Sequence, residues 1–175
     1  MASTYLQRTP SGGDRRKMTF SAWVKRCGVG QHNVIMSFGN GGERGMILFE
    51  SSDKLQFSQY VSGYNFQVTT NRLFRDPNAW YHIVCVLDTT QATASNRAKT
   101  YINGVQETSL QHSSYPSQNY ETYFNLNGTT CYIGQDSDGS ADYNGVMSHV
   151  HYCDGYAYTP SDFGSTDATT GEWKI

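Results

Sequence analysis

Charge is scarce in this chain of 175 residues. Asp, Glu, Lys and Arg make up 16% of it, 13 basic residues stand against 15 acidic ones, and the formal net charge is −2. Such a balance lacks the field that draws proteins onto nucleic acid or an anionic membrane surface. Cysteine is sparse too, and Cys27, Cys85, Cys131 and Cys153 never fall in a C-x-x-C spacing, which excludes zinc ribbons and thioredoxin-like motifs. The longest apolar run, Ile83 to Leu87, is far short of the ~20 residues that span a bilayer. The stretch MASTYLQRTPSGGDRRK holds no apolar segment of signal-peptide length. The expectation is a soluble protein without membrane insertion, nucleic acid or a secretion signal of its own. Free thiols are expected, with disulfides the alternative that the even cysteine count permits.

Sustained helical periodicity is also missing, apart from one short turn predicted at Thr159-Pro160-Ser161-Asp162. What the chain has in quantity is glycine (17) and tyrosine (13), the composition of many tight turns between half-buried strands. Apolar residues alternate with period two. Met18, Phe20, Ala22 and Val24 share one strand face, as do Val34, Met36 and Phe38, then Leu55 and Phe57, then Phe66 and Val68. Turn sequences separate these runs: GNGGERG at 39–45, SSDK at 51–54, VSGY at 61–64 and RDPN at 75–78. Short strands at such spacing predict a single all-β domain over 1–175, a sandwich or a barrel.

WYHIVCVL (80–87) is apolar on both faces and predicts a central strand. Asn103-Gly104 supplies the two positive φ angles of a type I′ hairpin, and Asn127-Gly128 reads the same way. The polar stretch Gln111 to Gln118 reads as a loop. Near the C-terminus, Val146, Val150 and Tyr152 are expected to pack the core, with His149 and His151 on the opposite face.

Three segments taken together resemble the laminin G-like, or concanavalin A-like, jelly-roll family: MTFSAWVKR (18–26), AWYHIVCVLDTT…KTYINGV (79–105) and CYIGQDSDGSADYNGVMSHVHYCDGYAYTPSDF (131–163). The resemblance implies a two-sheet antiparallel β-sandwich with jelly-roll connections. More narrowly, YLQRTPSGGDRRK, FRDPNAWYHIVCVLDTTQATASNRAK, SYPSQNYETYFN and TPSDFGSTDATTGEWKI look like laminin G-like domains of marine bacteriophage tail fibres and capsid-attached fibres. This implies a virion surface protein, assembled in the host cytoplasm as a homo-oligomer or other multivalent array. Its partners would be other virion subunits and a host surface glycan.

Concanavalin-like glucanases place carboxylates in an E-x-D-x-x-E pattern so that alternate residues face the glycosidic bond. None of Glu43, Glu50, Glu107, Glu121 or Glu172 has an Asp two residues on, and no G-x-S-x-G, P-loop or H-E-x-x-H occurs. A non-catalytic protein is therefore expected, with a glycoside hydrolase as a distant alternative. Tyrosine faces stack on the C–H faces of sugar rings, which makes Tyr60, Tyr64, Tyr115, Tyr120 and Tyr123 candidate contacts. Packing of loops or of neighbouring subunits explains them equally well, so a purely structural virion protein stays open. Asp136, Asp138 and Asp142 lie on one short loop as candidate Ca²⁺ ligands, which laminin G-like domains often use; a solvated acidic turn is the alternative. The H-x-H-x-C run from His149 to Cys153, with Met147 on the same face, permits a metal cluster, although core packing on one face explains it better. His82 reads as a hydrogen-bonded sheet residue rather than a catalyst.

Overall fold

A computed structural model describes residues 4–40 and 42–175. Along the chain the strands are β1 (Leu6–Arg8), β2 (Lys17–Arg26), β3 (Asn33–Asn40), β4 (Glu43–Phe49), β5 (Lys54–Tyr60), β6 (Tyr64–Leu73) and β7 (Trp80–Asp88). There follow β8 (Ala98–Ile102), β9 (Val105–Gln106), β10 (Leu110–Ser114), β11 (Thr130–Ile133), β12 (Gly145–Asp154), β13 (Ser165–Thr166) and β14 (Trp173–Lys174). Among the described residues they form a seven-stranded sheet in the order β1-β11-β3-β4-β5-β6-β10, a five-stranded sheet β12-β2-β7-β8-β9, and the small hairpin β13-β14. Strand pairing is antiparallel throughout. The result is the all-β jelly-roll sandwich expected from the sequence.

Alternation drives the packing. Met18, Phe20, Ala22 and Val24 of β2 and Ile83, Cys85 and Leu87 of β7 face the core, opposite Met36, Phe38, Ile47, Phe49, Phe57, Phe66 and Val68 of the larger sheet. Each large side chain removed from water contributes about 1.5–3 kcal/mol, and Phe57 and Phe66 add an edge-to-face contact at 5.1 Å. β7 is the middle strand of its sheet, as WYHIVCVL predicts, and its outward His82 and Val84 are also buried. Burial there comes from the chain after β12, which runs back over the sheet: Tyr158 N donates to Thr19 Oγ1, which donates to Tyr156 O. The 3₁₀ turn Pro160–Asp162 begins there on a Thr159 capping box. Asn103 (φ 48°) and Gly104 (φ 80°) close the β8–β9 hairpin as expected.

Four local expectations fail, for physical reasons. Of Asn127-Gly128 only Gly128 takes a positive φ (75°); the pair lies in a turn ahead of β11, whose partners are β1 and β3, so no hairpin forms. Gln111 to Ser114 are strand, not loop, because the edge strand β10 pairs its backbone with β6 while its polar side chains stay in water. A register shift between Val34 and Met36 sends Val34 to the outer face, beside Met46 and Leu48. In β12 a bulge lies between Ser148 and His151, with His149 at φ 49°. One inserted residue reverses the alternation, so Met147 and Tyr152 pack the core while Val146 and Val150 are exposed.

Candidate functional site

Two hairpins bring their ends to one rim of the seven-stranded sheet. Asn40 pairs with Glu43 across β3–β4, Arg44 pairs with Tyr60 across β4–β5, and Tyr60 pairs with Tyr64 across β5–β6. Ser62 (φ 53°) and Gly63 (φ 147°) make the last turn tight, so the Tyr60 and Tyr64 rings meet edge to face at 5.4 Å and 84°. They are 39% and 49% exposed. The loop at 119–125 reaches the same rim, where Tyr123 Oη donates to the Glu43 carboxylate and its backbone N–H donates to Gln59 Oε1. Gln59 Nε2 in turn donates to Tyr120 Oη at 2.9 Å. The loop is seated by Phe124, whose ring lies so close to Gly45 that a Cβ there would fall 2.7 Å from it. At its other end Arg15 and Arg16 both pair with Glu121, which gives the basic run DRRK a structural task.

The fourth rim segment is the loop between β11 and β12. Asp136 is buried and Asp138 exposed, and the Arg44 guanidinium joins both, 3.4 Å from the Asp136 carboxylate and in close contact with that of Asp138. Burial and the neighbouring Asp138 push the Asp136 carboxyl up, against the pull of Arg44. Burial acts on Asp138 in the same sense, but hydrogen bonds from Ser140 and Arg44 outweigh it and hold that carboxyl low. The hydrogen bond to Glu43 raises the Tyr123 phenol.

Calcium needs several oxygens converging on one point. Here a side-chain cation already lies between Asp136 and Asp138, while Asp142 accepts from Gln135 Nε2 across a β-bridge. Among the described residues no group of three or more His, Cys, Asp or Glu side chains is placed to hold a metal ion. The residues present therefore do not fit calcium, and the loop is tied by Arg44. The bulge likewise breaks the H-x-H-x-C face: His149 bonds Ser148, His151 lies against Phe163 at 5.7 Å, and Met147 turns inward.

Tyr60, Tyr64, Tyr120, Tyr123, Asp136 and Asp138 thus assemble at one rim. Tyr115 does not, since it packs against the core beside Leu110 in a separate cleft. Glu43 and Arg44, the residues that tie the rim together, were missed from sequence. They sit in GNGGERG, read there only as a turn, and their partners follow from cross-strand register, which the sequence does not display.

Fold and rim together define a lectin-like β-sandwich. The model of the concanavalin A-like lectin/glucanases superfamily matches residues 2–162, and the chain belongs to that superfamily. A search of curated protein sequences finds no match. Among solved structures, domain 4 of AbnA, a GH43 extracellular arabinanase of Geobacillus stearothermophilus in complex with arabinotriose, superposes with a TM-score of 0.67 at 18% identity, over 90% of this chain and 69% of that one. The CBM40 of the Ruminococcus gnavus IT-sialidase, bound to α2,3 sialyllactose, gives 0.60 at 10%, over 90% and 95%. Tailspike protein 2 of the Escherichia coli O157:H7 bacteriophage CAB120 gives 0.56 at 16%, over 91% of this chain and 22% of the tailspike.

Proposed function

We propose that the chain is a non-catalytic glycan-binding domain of a bacteriophage virion surface or fibre protein, which holds the particle to a host glycan. The observation that carries this reading is the exposed Tyr60–Tyr64 pair at a rim where Arg44, Glu43, Asp138 and Tyr123 supply hydrogen-bonding groups. Two aromatic rings at a steep angle offer a stacking face and an edge to a sugar ring, and the polar groups take its hydroxyls. Two of the sandwiches above hold oligosaccharides and a third is part of a phage tailspike, and the fibre-like segments of the sequence support the same placement. Asp136 and Asp138 share one guanidinium, which leaves neither as the free acid or base that hydrolysis requires.

The rim carries the carboxyl groups of Glu43, Asp136 and Asp138 against the guanidinium of Arg44, so neutral glycans are favoured over sialylated ones, whose charge would be repelled. Single contacts of this kind are weak. Many copies on one particle, or in a homo-oligomer, convert them into firm attachment. The test is an array of neutral and sialylated glycans probed with the domain displayed on beads. Retention on neutral glycans that falls at least tenfold in Tyr60→Ala/Tyr64→Ala is expected. Unchanged retention in that variant, or no retention by a folded domain on any glycan, overturns the reading, and the latter outcome favours a subunit-contact protein.

A further inference from the structure

The sequence holds three tryptophans, and the fold brings all of them to one place outside the core, on the sheet that the rim does not use. Trp23 of β2 sits opposite His82, and Trp80 of β7 sits opposite Lys25, so both indoles stand on the outer face of the five-stranded sheet. Trp173 arrives from the β13–β14 hairpin, which lies beyond the stretch that matches the superfamily model. His82 is stacked between two of them, 5.2 Å from Trp23 and 5.8 Å from Trp173. Trp173 Nε1 donates to His82 Nδ1 at 2.8 Å. Its ring fills a slot over two glycines, where a Cβ on Gly104 would overlap it and one on Gly164 would come within 2.9 Å. Trp173 is thus pinned in place, while Trp80 stays 39% exposed.

The three indoles, with Ser148, His149 and Lys174, wall an open pocket of about 310 Å³. That is at the low end of the ~300–1,000 Å³ typical of small-molecule sites. His149 reaches it from the β12 bulge. Its left-handed backbone (φ 49°) is costly for a residue other than glycine, and the Ser148 hydroxyl fixes the ring through Nδ1 at 2.7 Å. A bulge re-aims a side chain, and here it sets an imidazole at the edge of an aromatic wall. Trp23 Nε1 is buried there without a hydrogen-bond partner among the described residues.

We propose that this pocket is a second saccharide-binding site, taking one or two neutral pyranose rings. The C–H face of the sugar lies on the Trp80 indole, and its hydroxyls meet His149, Ser148 and Lys174. Flat rigid walls with polar groups confined to the edge match a sugar ring, whose faces are apolar and whose perimeter carries the hydroxyls. The preset Trp173 lowers the ordering cost of binding. The site is separate from the tyrosine rim and stands or falls without it.

Every tryptophan of the chain lines the pocket, so intrinsic tryptophan fluorescence reports on it and is silent at the rim. Titration with neutral methyl pyranosides and disaccharides is expected to give a saturable change in emission, kept in Tyr60→Ala/Tyr64→Ala and weakened at least tenfold in Trp80→Ala. His149→Gly relieves the backbone, so it is expected to raise Tm while weakening the sugar response, a split that a merely structural histidine would not give. The proposal is overturned if no sugar in the panel perturbs the fluorescence of the folded protein, or if the change persists in Trp80→Ala. It is equally overturned if sedimentation shows a dimer that Trp80→Ala dissolves, which would assign the pocket to a second copy of the chain.

Discussion

An indole N–H can only donate, so the hydrogen bond from Trp173 requires an unprotonated Nδ1 on His82 and leaves Nε2–H to face the Ser21 hydroxyl at 2.9 Å. Burial, with a smaller contribution from the charge of His151, lowers the His82 pKa from 6.5 to about 4. The unfolded chain then binds the proton more readily than the folded one between these values. Stability is therefore full above about pH 6.5 and falls as the pH drops toward 4, by at most about 1.4 kcal/mol for each pH unit crossed. Urea midpoints measured across this range are expected to decline for the wild type and to flatten in His82→Phe. An equal slope in both would remove His82 as the cause. Sequence reasoning placed His82 correctly as a hydrogen-bonded sheet residue but saw no partner for it, because Trp173 is 91 residues away and comes into contact only through the return of the C-terminal segment. Arg44 escaped notice for the same reason, and its replacement of calcium gives a second expectation at this scale. A chelator should leave Tm unchanged, whereas Arg44→Ala should lower it, since the buried Asp136 then loses its cation.

Elements with a buried face were legible, and those without one were not. β2 alternates and β7 is apolar on both faces because each position meets either the core or a covering segment. β10 has only its backbone pairing to identify it, and polar side chains in water carry no period. The β12 bulge defeated the pattern differently: Val146 and Val150 are apolar and close in sequence to core positions, and only the inserted residue puts them outside. The β13–β14 hairpin has no apolar alternation to announce it, and its docking depends on Gly104, which therefore serves both a tight turn and a close approach. Gly104→Ala meets a positive φ of 80° as well as the Trp173 ring. It should cost about 1–3 kcal/mol and move His82 back toward its ordinary pKa, as followed by NMR of the imidazole. A loss of stability without that movement would mean that the hairpin stays docked.

On the scale of the molecule, the two sheets are joined by more than apolar contact. Arg26 continues the inward face of β2, is fully buried, and reaches across to Asp53 in the β4–β5 turn at 3.0 Å while lying 4.6 Å over the Phe49 ring. Its Nη1 donates to Phe74 O and its Nη2 pairs with the Asp53 carboxylate, which also accepts from Gly30 N–H and Arg75 Nε. Burial alone would raise the Asp53 carboxyl, but the Gly30 N–H and the two guanidinium groups outweigh it and hold it below its usual value. From sequence, Asp53 read as a residue of the SSDK turn and nothing singled out Arg26, since a pairing between sheets leaves no local pattern. Removing one partner strands the other charge in the interior. Asp53→Ala should therefore cost about 3–5 kcal/mol, while Arg26→Met together with Asp53→Leu should recover most of that loss, because two apolar side chains of similar volume need no counter-charge. Chemical denaturation of the three proteins measures this directly. If the double variant is as unstable as the single one, the pair holds the sandwich together through its geometry, and the two sheets depend on this link for their alignment.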